Sequence, residues 1–126
     1  MNMKSIAGIT CYVRDLKKTA EFYEALGFQF KDKESDHMSV YLNWFWIEFL
    51  PTSIEKEFGS SKKAGIETQN SDSYMYISVD NVDDAYKNLL SKGLKPSGEP
   101  QNTSRRNREF LIRDPDGYNL VFFKRK

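Results

Sequence analysis

The chain has a single cysteine, Cys11, among 126 residues, so no disulfide can close within it. Its place on the apolar face of a strand pattern reads as core packing. Histidine is equally scarce, with His37 alone. Catalytic zinc, iron and nickel sites lean on neutral imidazole, usually two or more, and this chain supplies one per subunit. Long apolar runs are missing too. Nothing reads as a signal peptide or could span a bilayer, so a cytoplasmic, reducing location and no membrane partner are expected. Charge bias is absent: 19 basic against 18 acidic residues leave a formal charge of +1. That balance gives no global pull toward nucleic acid, which is not expected as a partner.

What the chain has is a repeat. "GITCYVRDL", Gly8 to Leu16, alternates, with Ile9, Cys11 and Val13 on one face and Asp15 placed to cap a helix. "YMYISVDNV", Tyr74 to Val82, does the same with Met75, Ile77 and Val79, then Asn81. The offset from Gly8 to Tyr74 also relates Leu16 to Val82, Gly27 to Gly93 and Phe28 to Leu94. Between these marks lie helical patterns: Leu16, Ala20, Tyr23 and Leu26 in one copy, Val82, Tyr86 and Leu89 in the other. Each ends at a glycine suited to the left-handed conformation after a last helical turn.

Strands follow each helix. "FQFKDKE", "MSVYLN" and "FWIEFLP" read as a meander with a tight turn at Asn43–Trp44. In the second half "EFLIRD" and "YNLVFFKRK" flank "DPDG", which is turn chemistry in order: Asp114, Pro115 with its fixed φ, then Asp116–Gly117. The polar stretch 53–70 reads as a linker, "KPSGEPQNTSRRNR" as a second long loop, and the final "KRK" as a solvated tail. The expected class is α+β: one domain over residues 1–126, made of βαβββ modules 1–52 and 71–126.

The segments "ITCYVRDLKKTAEFYEALGF" and "REFLIRDPDGYNLVFF" resemble the glyoxalase / bleomycin resistance / extradiol dioxygenase (vicinal oxygen chelate) superfamily, and the resemblance covers nearly the whole chain. It implies half-rolled mixed sheets whose concave faces meet around a pocket, with two chains forming a dimer. Metal-dependent members place ligands at four points, which carry over here to Gly8, Glu48, Tyr74 and Val121. Glycine and valine have no ligand atom, and tyrosine is a poor ligand unless deprotonated. The resemblance therefore points to the metal-free branch, whose members hold a bulky compound without chemistry. No metal and no cofactor are expected.

Glu48 is the one ligand-type residue left at those positions. A carboxylate between Trp46 and Leu50 is partly desolvated, which favours its neutral form unless a cation pairs it. It either binds a cationic or hydrogen-bonding ligand group, acts as a base, or is salt-bridged to Arg108 or Arg113. Tyr12, Trp46, Tyr74, Tyr76 and Phe123 share the pocket-facing parity. They read as an aromatic wall for a flat organic ligand, or as a second core that fills the cavity. Arg105 to Arg108 read as a basic lip recruiting an anionic group, with Arg108 counted in the ligand-binding set, or as a solvated loop. Phe22, Tyr23 and Tyr86 read as helix-packing residues, His37 as an ordinary strand-edge residue, and an exposed Trp44 as a dimer contact. The expected function is metal-free binding of a small organic molecule by a homodimer, possible uses being sequestration of an aromatic or antibiotic-like compound. The rivals are a glyoxalase-like lyase or dioxygenase, a metal-free acid/base enzyme using Glu48, and a structural module with a filled cavity.

Overall fold

The computed structural model of the protein describes residues 1–52 and 73–126; the expected linker 53–70 lies outside them. The chain divides into two compact units, Met1–Thr68 and Gln69–Lys126. The first contains β1 (Gly8–Val13), α1 (Leu16–Leu26), β2 (Phe30–Lys33), β3 (Met38–Leu42) and β4 (Phe45–Pro51). The second contains β5 (Tyr74–Ser78), α2 (Val82–Ser91), β6 (Gln101–Asn102), β7 (Asn107–Arg113) and β8 (Asn119–Arg125).

Each unit is a four-stranded sheet, in the orders β1-β4-β3-β2 and β5-β8-β7-β6. The opening strand lies parallel to the last one, and the remaining pairs are antiparallel. The architecture is thus α+β, two βαβββ modules, as the repeat implied.

The helices start and stop where local chemistry dictates. Asp15 Oδ1 accepts from the Lys17 and Lys18 amides at 3.0 and 3.3 Å, and Asn81 Oδ1 accepts from the Asp84 amide at 3.0 Å. These bonds satisfy donors that an isolated helix start leaves bare. At the other ends Phe28 N–H donates to the Tyr23 carbonyl and Leu94 N–H to the Leu89 carbonyl, at 3.0 and 3.1 Å. Gly27 and Gly93 sit inside those loops at φ 116° and 83°, which glycine adopts without strain.

Each helix covers one face of its own sheet. Leu16, Thr19, Ala20 and Tyr23 form the buried stripe of α1, and Tyr23 packs 4.7 Å from Phe49 between ring centroids. Cys11, Val13, Val40 and Ile47 are buried beside them. In the second unit Tyr86 of α2 meets Phe110 edge-on at 5.4 Å, and Phe110 stacks on Phe122 at 5.2 Å. Ile77, Ile112 and Leu120 complete that core. Each side chain contributes roughly 1.5–3 kcal/mol when fully removed from water.

The "DPDG" turn forms as read: Asp114 Oδ1 accepts from the amides of Asp116 and Tyr118, both at 2.9 Å, and Gly117 takes φ 88°. Asn43 makes the β3–β4 turn at φ 58°. Two details depart from the sequence reading. The loop 95–108 contains the short edge strand β6 and the start of β7. The terminal "KRK" is not a free tail, because Lys124 and Arg125 pair with Arg108 and Asn107 in the ladder. No helix among the described residues is long and apolar enough to cross a membrane.

Candidate functional site

The face of the first sheet turned away from α1 carries Gly8, Thr10 and Tyr12 from β1, Trp46, Glu48 and Leu50 from β4, and Ser39 and Tyr41 from β3. The parallel ladder sets Gly8 beside Trp46 and Thr10 beside Glu48. The indole of Trp46 lies directly over Gly8. A methyl group added at Gly8 would stand 2.5 Å from Cε2 and Cε3 of that ring, and closer still to Cδ2. Gly8 is not among the positive-φ glycines, so close approach, not backbone conformation, requires glycine there.

Glu48 is half-buried, and its Oε1 accepts a 3.1 Å hydrogen bond from Thr10 Oγ1. Among the described residues no cation stands within ion-pair distance of it. Ser39, its neighbour across the β3–β4 ladder, donates instead to Asp32 at 3.0 Å. The carboxylate therefore has one fixed hydroxyl partner and acceptor capacity left over. Tyr12 is buried at the other end of this face.

The corresponding face of the second sheet carries Tyr74 and Tyr76 from β5, Asn119, Val121 and Phe123 from β8, and Glu109, Leu111 and Arg113 from β7. Tyr74 is 49% exposed and Tyr76 40%. Phe123 meets Tyr76 edge-on at 5.4 Å. Arg105, in the turn before β7, donates from Nη2 to the Tyr76 hydroxyl at 2.6 Å, with its guanidinium 5.8 Å from the ring centroid. That hydrogen bond is the main reason its guanidinium holds its proton more firmly than usual.

Arg108, expected in the ligand-binding set, does not lie on this face; it lines the cleft on the other side of β7. It occupies the helix-bearing side of β7, where Nε and Nη2 donate to the two Asp83 carboxylate oxygens at 2.9 and 2.8 Å. The bidentate bond lowers the Asp83 pKa. Arg113 donates to Asn119 at 2.9 Å. Neither arginine is the partner proposed for Glu48. The reason is register: β7 begins at Asn107, and strict alternation from there sends Arg108 toward α2. Arg105 was legible only as one member of a basic run, because its partner Tyr76 is far away in sequence. Thr10 and the Gly8–Trp46 contact likewise arise from β1–β4 pairing, which no local pattern announces.

His37 stands just before β3, and its Nδ1 lies 3.0 Å from Asp36 Oδ1. That hydrogen bond, ahead of the nearby carboxylate charges, raises its pKa. Cys11 is buried at 2% exposure. Among the described residues the second unit also carries two clefts, the smaller of which shares Glu109 and Leu111 with the aromatic face. One, of about 310 Å³, runs between Asn81 and Lys124, and the other, of about 210 Å³, lies beside Glu99 and Thr103.

The fold defines a class, proteins built from βαβββ modules with helix-free sheet faces. The Glyoxalase/Bleomycin resistance protein/Dioxygenase superfamily model matches residues 5–122, and the chain belongs to that superfamily. Solved structures share the fold. The glyoxalase/bleomycin resistance protein/dioxygenase from Nocardioides superposes with a TM-score of 0.82 at 16% identity, over 98% of this chain and 84% of that one. Virulence protein STM3117 from Salmonella typhimurium gives 0.81 at 19% identity, over the whole of both chains. Hypothetical protein SA1046 from S. aureus gives 0.75 at 20% identity, over 97% of this chain and 94% of that one. Comparison with curated proteins gave no match.

The metal of the metal-dependent members does not fit these residues. Gly8 and Val121 have no donor atom, and Trp46 fills the space of any side chain at position 8. Among the described residues no group of three or more His, Cys, Asp or Glu side chains converges.

Proposed function

We propose that the protein binds a small aromatic organic molecule on its helix-free sheet faces without a metal, with sequestration of an antibiotic-like compound as the use. The observation that carries this reading is the first-module face. Trp46 is seated on Gly8, and two residues further along β4 Glu48 keeps free acceptor capacity beside Thr10. An indole face and a carboxylate with no cation partner among the described residues suit a flat molecule with a cationic or hydrogen-bond-donating group. Tyr12 is buried at the end of this face, and the second module has an aromatic face of its own in Tyr74, Tyr76 and Phe123. The reading extends to a cytoplasmic homodimer. Trp44 at 70% and Leu42 at 52% exposure leave apolar surface bare at the β3–β4 turn, as an unpaired subunit contact would.

A thermal-shift screen of small aromatic compounds against wild type, Trp46→Ala and Glu48→Gln tests it. Stabilisation of wild type, weakened for all hits by Trp46→Ala and for cationic hits by Glu48→Gln, is the expected pattern. If no compound class stabilises wild type and Glu48→Gln alone lowers the melting temperature strongly, Glu48 is structural and the reading falls.

A further inference from the structure

The exposed aromatic face of the second module has a charge partner of its own. Arg105 makes one polar contact among the described residues, to an uncharged hydroxyl. Two arginines of β7 are held differently: Arg108 is locked to Asp83, and Arg113 donates to Asn119 and Ser97. Arg105 therefore holds a full positive charge beside Tyr76, with most of its N–H donors facing no acceptor among the described residues. The Tyr76 hydroxyl accepts from Arg105, so its own proton is free to donate outward. Arg113 adds a second cation in the Tyr74 row of the sheet. The one carboxylate on this face among the described residues, Glu109, takes a hydrogen bond from Asn107 at 3.3 Å and stands outside ion-pair distance of Arg105.

We propose that Tyr74, Tyr76 and Arg105 form a binding subsite for a planar aromatic acid. Its ring lies on the tyrosine faces, and its carboxylate takes paired N–H bonds from the Arg105 fork and the O–H of Tyr76. The guanidinium fork matches a carboxylate in shape as well as charge, and the hydrogen bond to Tyr76 already fixes its orientation. Offset ring stacking supplies the remaining attraction. The subsite rests on the ligand-binding reading above and gives it a charge preference in this module.

The test uses the full chain and simple probes: benzoate, its neutral isostere benzamide, and benzylammonium. Affinities come from NMR titration of the Tyr74 and Tyr76 resonances, with wild type, Arg105→Gln and Tyr76→Phe. Benzoate should bind on the order of tenfold more tightly than benzamide, as charge-assisted hydrogen bonds give, and the gap should narrow with salt. Arg105→Gln should erase the gap and leave benzamide unchanged. Tyr76→Phe, which keeps the ring, should weaken benzoate only. Equal binding of benzoate and benzamide, or no effect of Arg105→Gln, overturns the acid preference and leaves aromatic binding standing. Absence of any shift with all three probes sinks aromatic binding on this face as well. If Arg105→Gln changes the subunit mass by light scattering and no affinity, the face is a subunit contact and the proposal is wrong.

Discussion

Replacing Gly8 with alanine probes the seat of Trp46 directly. The new methyl would stand 2.5 Å from two indole carbons, about 1 Å inside ordinary carbon–carbon contact. Those carbons belong to the six-membered ring and one is a fusion atom, so a small rotation of the ring tip cannot relieve the clash. The indole must leave its place or the β1–β4 ladder must part. Overpacking of this kind costs about 1–3 kcal/mol. Trp46→Ala alone removes a half-buried ring, so about half of the ~3–5 kcal/mol for a buried tryptophan is expected. In that background the vacated space accepts the methyl, and Gly8→Ala becomes neutral or stabilising by up to ~1 kcal/mol, because alanine orders more readily than glycine in a strand. Urea denaturation of the four proteins in a double-mutant cycle measures the coupling, expected to be at least ~1 kcal/mol. If Gly8→Ala costs the same with and without Trp46, the two residues are independent and the reasoning fails.

Other outcomes follow from the same geometry. Glu48→Gln should weaken a cationic aromatic ligand by roughly 1–3 kcal/mol by calorimetry while a neutral analogue is unaffected. Asp83 has its pKa depressed by Arg108. Its contribution to stability is present above the unfolded-state value and is lost as pH falls through the folded one. Asp83→Asn should therefore destabilise at neutral pH and match wild type in acid, as chemical melts across pH would show. His37 is shifted the other way, so its contribution is complete below the unfolded value and disappears as pH rises through the folded one. Asp36→Asn should lower the His37 pKa, read by NMR titration of the imidazole. Light scattering over a concentration series should give a dimer mass, and Trp44→Ser should shift it toward monomer.

The repeat was readable because its marks are local. Asp15 and Asn81 cap, Gly27 and Gly93 terminate, and each acts within a few residues of its place in the chain. Period-two alternation in β1 and β5 likewise placed Tyr74, Tyr76 and the Gly8 row on the faces opposite the core. β6 escaped notice because a two-residue edge strand of Gln101 and Asn102 has no alternation to display. The side of Arg108 could not be read for want of one boundary: with β7 starting at Asn107, it follows from parity. The partner of Arg105, the hydroxyl on Glu48 and the ring over Gly8 depend on which strands become neighbours, and propensity does not encode that.

In each sheet, among the described residues, the first strand made is paired with the last: β1 lies at one edge beside β4, and β5 at one edge beside β8. During synthesis β1 therefore waits for its partner in this sheet until Phe45–Pro51 has been added, and β5 waits until Asn119–Arg125 has been added. Closing such a loop fixes long stretches of chain before any reward arrives, so each module must assemble late and all at once. β8 is the keystone of its half. Losing Asn119–Arg125 would strip partners from β5 and β7 together, whereas losing the two residues of β6 would trim one edge.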